Sequence, residues 1–343
     1  MNDYLTSPHP VLVPVLAGIV AFTGCSPIDE VTDERQLHYF QSPPLAQVDE
    51  LEELINGVTR ILVSAHYDSY FFEEEQRVSL SDIEQNPELL EEAETSFDIE
   101  TKAGTGIIID VADGYPLILT TNHLIDQPDT LEFYFEDDFG DPLGLGELAI
   151  AERKERYLPR DRHLGALKLL AQDPDHDIAM LTTENPFGIG DDMNNHTIVK
   201  GDARRLDWGS KVFTIGYPLG NLMLSASTVS EPDRVDRGRF TIDALFNPGF
   251  SGGAVFAMNN STSELELVGM ARSASASSDF LLRPQQGVLS PYQDGVQYDG
   301  PVFAEYKSEI NYGIVYSITI NVIEEFLEDN REILDQYGFD PFD

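Results

Sequence analysis

Asn247-Pro248-Gly249-Phe250-Ser251-Gly252-Gly253 runs directly into Ala254-Val255-Phe256-Ala257. The second stretch is a short, unbroken apolar run and reads as a buried strand. The first reads as a tight turn that presents a serine at the strand's start. Small neighbours let a substrate carbonyl approach the hydroxyl. Gly249 frees the backbone to aim its N–H, together with that of Ser251, at one point. Two convergent donors of this kind form an oxyanion hole. The same letters also fit a plain glycine-rich hairpin, so the reading requires a base and an orienting carboxylate elsewhere.

Both candidates are present upstream. Gly104-Thr105-Gly106-Ile107-Ile108-Ile109-Asp110 and Leu117-Ile118-Leu119-Thr120-Thr121-Asn122-His123-Leu124-Ile125 flank a turn at Asp113-Gly114-Tyr115-Pro116. Two β-rich runs around such a turn read as a hairpin, with His123 just past its second strand. Asp175-His176-Asp177-Ile178-Ala179-Met180-Leu181 follows. Asp177 begins a short apolar strand, where a buried carboxylate needs a partner. His176 reads as its solvent-facing neighbour.

These blocks resemble the trypsin-like serine peptidases of the chymotrypsin fold, most closely the HtrA/Deg branch. Gly-x-Gly with an apolar run, Thr-x-x-His, Asp-x-Asp-Ile-Ala and Asn-Pro-Gly-x-Ser-Gly-Gly occur here in that branch's order. Trp208 to Gly220 and Tyr312 to Asn321 supply two further matching blocks, and the likeness runs from about Val58 to Tyr337. The resemblance implies an all-β fold of two packed antiparallel six-stranded barrels with a C-terminal helix. It implies His123 as general base, Asp177 as its orienter and Ser251 as nucleophile, acting through an acyl-enzyme. Gly249 and Ser251 would form the oxyanion hole. An esterase of the α/β-hydrolase fold runs Ser, acid, His, whereas this chain runs His, Asp, Ser.

Two departures from the family matter. Phe250 stands where a polar residue is usual, and in digestive relatives an aspartate there pairs with a freshly cut N-terminus. Phe250 cannot make that ion pair, and it bears on the shape of the oxyanion turn. No PDZ domain is expected after the last helix. A catalytically silent homologue that binds peptides in the same cleft is the alternative reading, with Phe250 as its support.

The chain has 343 residues, of which 41% are hydrophobic, enough for one two-barrel domain with extensions. Acidic residues number 61 against 21 basic ones, for a net charge of −40. That charge repels phosphate backbones, so nucleic-acid partners are excluded from the reading. General solubility and a saline habitat, where salt screens the self-repulsion, both fit it. No cofactor or metal pattern stands out. Asp137, Asp138 and Asp141 lack the spacing of a calcium loop, and the segment from Glu136 to Gly146 reads as an acidic loop.

Cys25 is the single cysteine, so no intrachain disulfide is possible. It closes the apolar run Val11 to Phe22, which is too short to span a bilayer and reads as a signal peptide over 1–25. Gly24-Cys25 resembles a bacterial lipobox, which implies lipidation of Cys25 and an anchored, periplasmic or secreted protein. Phe22 and the uncompensated Asp3 depart from that pattern. An acidic tether with a short helix is expected over 26–57, and the peptidase domain over 58–338.

Within that domain Val58 to Ala65 reads as the first strand, and about 66–100 as an acidic insertion. Leu131 to Phe135 and Ala166 to Leu170 read as strands, and the second barrel is expected to start near Ile198. Phe280 to Tyr306 reads as a long surface loop. Asn321 with Glu324 reads as a capping box for the last helix, which Gly338 ends. In this fold the residue six before the nucleophile, Leu245, is expected at the base of the specificity pocket. Gly269 and Ala271 are expected in its wall. Cleavage after small or medium apolar residues follows, with Asp243 and Arg272 as the charges able to change it. The expected partners are therefore protein or peptide substrates, and a membrane through Cys25.

Overall fold

The apolar runs Ile107-Ile108-Ile109 and Leu117-Ile118-Leu119 are continuous because both faces of their strands are covered. Ile107 and Leu119 join one buried cluster with Ile215, Phe256 and Met270. Ile108 and Ile118 join a second cluster with Ile61, Val63 and Leu181. A strand buried on both sides has no polar face to alternate with. The structure is a computed structural model that describes residues 53–137, 139–187, 198–235, 237–284 and 302–342. The signal-peptide and lipobox reading, Cys25 included, lies outside the described residues, as does most of the tether.

Among the described residues, two mostly antiparallel sheets form the main body. The first comprises β1 (Val58–Phe71), β2 (Glu94–Ala112), β3 (Tyr115–Thr120), β4 (Thr130–Glu136), β5 (Pro142–Tyr157), β6 (Leu167–Asp173) and β7 (Ile178–Thr183). They lie in the order β4-β5-β1-β2-β3-β7-β6. A single bridge, Tyr157↔Ala166, draws the β5 and β6 ends together, so six strands curl into a half-barrel and β4 is an added edge. The second sheet comprises β8 (Val199–Lys200), β9 (Lys211–Gly216), β10 (Met223–Glu231), β11 (Arg239–Ile242), β12 (Ala254–Met258), β13 (Leu265–Pro284) and β14 (Val302–Thr319). Its order is β12-β9-β10-β11-β14-β13-β8, and the β12–β13 pairing closes six of these strands into a barrel. Closure of the second sheet leaves β12 without the exposed edge that would otherwise invite aggregation. The short β8 runs parallel along β13.

Three regions differ from the sequence reading. The acidic insertion is strand at both ends: β1 and β2 pair without a break from Val58↔Ile107 to Phe71↔Glu94. Alternate residues of that extension, Ala65, Tyr67 and Ser69, are buried, a period-two signal diluted by the surrounding acids. Helices Leu80–Gln85 and Glu88–Glu92 sit at its tip. The acidic loop is shorter than expected, because β5 begins at Pro142. Asp137 closes it by accepting from the N–H groups of Phe139 and Asp141. The expected loop from Phe280 is strand at both ends, with β13 and β14 paired out to Pro284↔Val302.

The C-terminal helix is two helices, Ile320–Asp329 and Arg331–Tyr337, and the second ends at Gly338 in the left-handed conformation (φ 76°). Ile323, Phe326, Leu327 and Leu334 are buried as expected, whereas Tyr337 is exposed. Thr319 is the N-cap, its side chain accepting from Val322 N–H. Asn321 is not the cap: its side chain accepts from Ala203 N–H and donates to Asp202. Glu324 pairs with Lys200 on β8. Tertiary partners thus outcompete the local capping box.

Candidate active site

The antiparallel register of β3 and β7 places the first two site residues. Thr120 lies opposite Ala179, so His123 beyond one strand and Asp177 before the other reach the same end of the barrel. His123 sits on the single-turn helix Asn122–Ile125, held by Asn122 N–H donating to the Asp177 carbonyl at 3.1 Å. Asp177 takes a left-handed backbone (φ 63°), which aspartate tolerates better than most residues. β7 is buried along its whole length, so the turn that carries Asp177 stands on a rigid support.

Ser251 comes from the other barrel, in the turn before the equally buried β12. The two barrels are clasped there by Thr105 of β2. Thr105 N–H donates to the Ser251 carbonyl at 2.8 Å. Its hydroxyl donates to the Gly249 carbonyl at 2.7 Å and accepts from Tyr217 N–H at 2.9 Å. Thr105 is fully buried, and the sequence reading gave it no role. A threonine held between Gly104 and Gly106 in an apolar run was the available signal.

These elements bring His123, Asp177 and Ser251 together. His123 Nε2 lies 3.0 Å from Ser251 Oγ, and His123 Nδ1 lies 2.8 Å from Asp177 Oδ2. His123 N–H also donates to Asp177 Oδ1 at 2.8 Å. An ionised carboxylate only accepts, so Nδ1 carries the proton and Nε2 presents its lone pair to the serine hydroxyl. Burial pushes the Asp177 carboxyl up, but hydrogen bonds and charge from His123, with a further bond from Arg272, outweigh it and hold it below its ordinary value. The Asp177 side chain is 6% exposed and that of His123 48% exposed, so the base faces the cleft while its orienter is shielded.

Gly249 has φ 103°, and a Cβ there would stand 2.4 Å from the Tyr217 carbonyl oxygen. Only glycine fits this turn. Phe250 is buried against Phe246, with ring centroids 5.9 Å apart, inside the second barrel's core. The turn therefore owes its packing to the residue that departs from the family pattern. Arg272 of β13 donates through Nε to Asp177 Oδ2 at 2.9 Å, a contact that sequence reasoning missed.

The residues expected to form the specificity pocket lie in different surroundings. Leu245 is 67% exposed, while Gly269 and Ala271 are buried in the barrel wall. Ala271 is stitched by its backbone to Gly252 and Gly253, and the Gly269 backbone packs on Phe240 and Ile318. The Leu245 side chain is thus turned outward on the loop from Asp243 to Phe246, between the buried Ala244 and Phe246. His176 is exposed and bonded to Asp173. His66 lies beside Arg153 and Glu155.

A family model described as a trypsin-like peptidase domain matches residues 104–270, the span that holds all three site residues. Over that span the chain is similar to trypsin-like peptidase domains. A Pseudomonas putida protein described as a probable periplasmic serine endoprotease DegP-like is 28% identical over 162 residues, 46% of this chain and 27% of its own length. The chain thus spans about a quarter of the length of that curated relative. Among solved structures, the serine endoprotease from Yersinia pestis aligns with TM-score 0.40 and 16% identity, covering 84% of this chain and 68% of that one. The matched span takes in strands of both sheets, since it begins in β2 and ends in β13.

Proposed function

We propose that this chain is a serine endopeptidase that cleaves peptide bonds in proteins through an acyl-enzyme. The observation that carries the reading is the Ser251 hydroxyl 3.0 Å from an imidazole nitrogen whose partner nitrogen is 2.8 Å from a buried carboxylate. His123 Nε2 takes the hydroxyl proton as Ser251 Oγ bonds to the scissile carbonyl carbon. Charge moves to the carbonyl oxygen, where the N–H groups of Gly249 and Ser251 receive it. His123 then protonates the leaving amine, and the carbonyl re-forms as an ester on Ser251. Water, deprotonated by His123, repeats the attack and releases the acid. Asp177 holds the tautomer and balances the imidazolium throughout.

A fluorophosphonate probe tests this reading. It is expected to label the wild-type protein at Ser251, and Ser251→Ala is expected to abolish both labelling and peptide turnover. A protein that binds peptides but takes up no probe would be the silent homologue instead. Cell-envelope residence is part of the proposal, supported by the Gly24-Cys25 motif and by the periplasmic description of the Pseudomonas relative. Detergent partitioning that is lost in Cys25→Ala is the expected outcome, and a mature chain beginning past Cys25 would refute the anchor.

A further inference from the structure

Asp177 Oδ2 accepts two bonds, from His123 Nδ1–H at 2.8 Å and from Arg272 Nε–H at 2.9 Å. The base and a permanent cation therefore meet on one carboxylate oxygen. Arg272 follows Ala271, whose N–H and carbonyl are bonded to Gly253 and Gly252. The strand that delivers the guanidinium is thus fixed to the Ser251 turn, and the ion pair spans from the second barrel to the first. Its side chain is 34% exposed. The other charged or titratable groups around the pair are engaged elsewhere or face the base. His176 and Asp173 bond each other at 2.6 Å on the preceding turn. Lys102 of β2 donates to the carbonyl of Asp126, after the His123 helix. The Ser251 hydroxyl faces Nε2.

We propose that Arg272 is a positioning residue: it holds the Asp177 carboxylate ionised and aimed at His123, and it keeps the pair in its neutral-imidazole, anionic-carboxylate form to lower pH. A buried carboxylate with one partner is costly when that partner is neutral. Arg272 supplies a charge that does not titrate, so the resting enzyme has its anion compensated before His123 gains a proton. The same cation opposes protonation of the imidazole beside it. Both effects displace the pair's macroscopic titration in one direction. The inference rests on the peptidase reading, but its test does not.

The test compares wild type, Arg272→Met and Arg272→Lys. The first readout is the pH midpoint of the low-field proton resonance on His123 Nδ1. The second is the acid limb of kcat/KM on a peptide substrate. In Arg272→Met both midpoints are expected to rise by about one pH unit, a loss of about tenfold in kcat/KM on the acid side with KM unchanged. In Arg272→Lys, which keeps the charge, the midpoints are expected to stay near wild type. Arg272→Gln, neutral but polar, carries the Met expectation should that variant not fold. An unshifted midpoint in the neutral variants overturns the proposal. A wild-type protein without turnover refutes the peptidase reading alone, because the resonance still reports on Arg272.

Discussion

In Gly249→Ala a methyl carbon would stand 2.4 Å from the Tyr217 carbonyl oxygen and 3.3 Å from both Leu219 N and Pro218 Cα. All three are backbone atoms, and the oxygen is held in place. Tyr217 N–H is bound to Thr105 Oγ1, and Gly220 N–H donates to Tyr217 O at 3.0 Å. The clash is relieved more easily by the turn that carries Gly249 than by the Tyr217 segment. The new side chain also sits at φ 103°, where an L-residue carries roughly 1–2 kcal/mol of strain. Moving the turn by about 1 Å would take the Gly249 N–H off the point that the proposed oxyanion hole requires it to share with the Ser251 N–H. Loss of one oxyanion donor costs on the order of 100- to 1000-fold in kcat, roughly 3–4 kcal/mol at the transition state. The expected result is a fall in kcat of that size with KM little changed, and Ser251 labelling by fluorophosphonate slowed in parallel. The melting temperature is expected to fall by only several degrees. The assay is steady-state turnover of one peptide substrate beside a thermal melt. A kcat within twofold of wild type in a protein whose melting temperature has dropped would refute the reasoning, because strain would then be present without loss of the donor.

Phe250→Ala is expected to destabilise the fold by about 3–5 kcal/mol, and Phe250→Leu by about 1 kcal/mol, because the ring is buried in the second barrel's core. Chemical denaturation checks this, and equal stability of both variants with wild type would contradict the packing role. Asp177 sits below its ordinary value of 3.8, so its ionised form stabilises the fold above that pH, and the contribution is lost as pH falls through the lower folded-state value. The stability gap between wild type and Asp177→Asn is therefore expected to narrow below about pH 4, and a gap constant with pH would show that the carboxylate's charge is not involved. Asp243 Oδ1 accepts from Thr228 N–H and Arg272 Nε donates to Asp177, so each charge already has a partner outside the proposed pocket. Library profiling is expected to show cleavage after small or medium apolar residues, and a preference for Arg, Lys or Glu would refute this assignment.

Some of this was legible in the residues themselves. The turn Asn247 to Gly253, the His123 hairpin and the Asp177 turn are local features whose letters carry their chemistry. Small residues permit close approach, apolar runs mark strands buried on both faces, and chain order discriminates between hydrolase folds. Gly338 and the buried Ile323, Phe326 and Leu327 were legible for the same reason, since a helix face is written at a fixed spacing.

Other features depend on partners far away in sequence. Asn321 looks like a cap until Ala203 and Asp202 are beside it. The β1–β2 extension and the β13–β14 pairing are decided by ladders between segments that read, by composition, as an acidic insertion and a surface loop. Leu245 was assigned by counting back from Ser251, and its exposure is set by the path of its loop, which residue counting does not give. Thr105 and Arg272 become site residues only when the two barrels close on each other, because each contributes a bond across that seam. A sequence determines which groups can react and which faces must be buried. Which distant polar groups satisfy one another is settled by the packed chain, where a buried donor or acceptor must find a partner among the atoms that the fold has brought near.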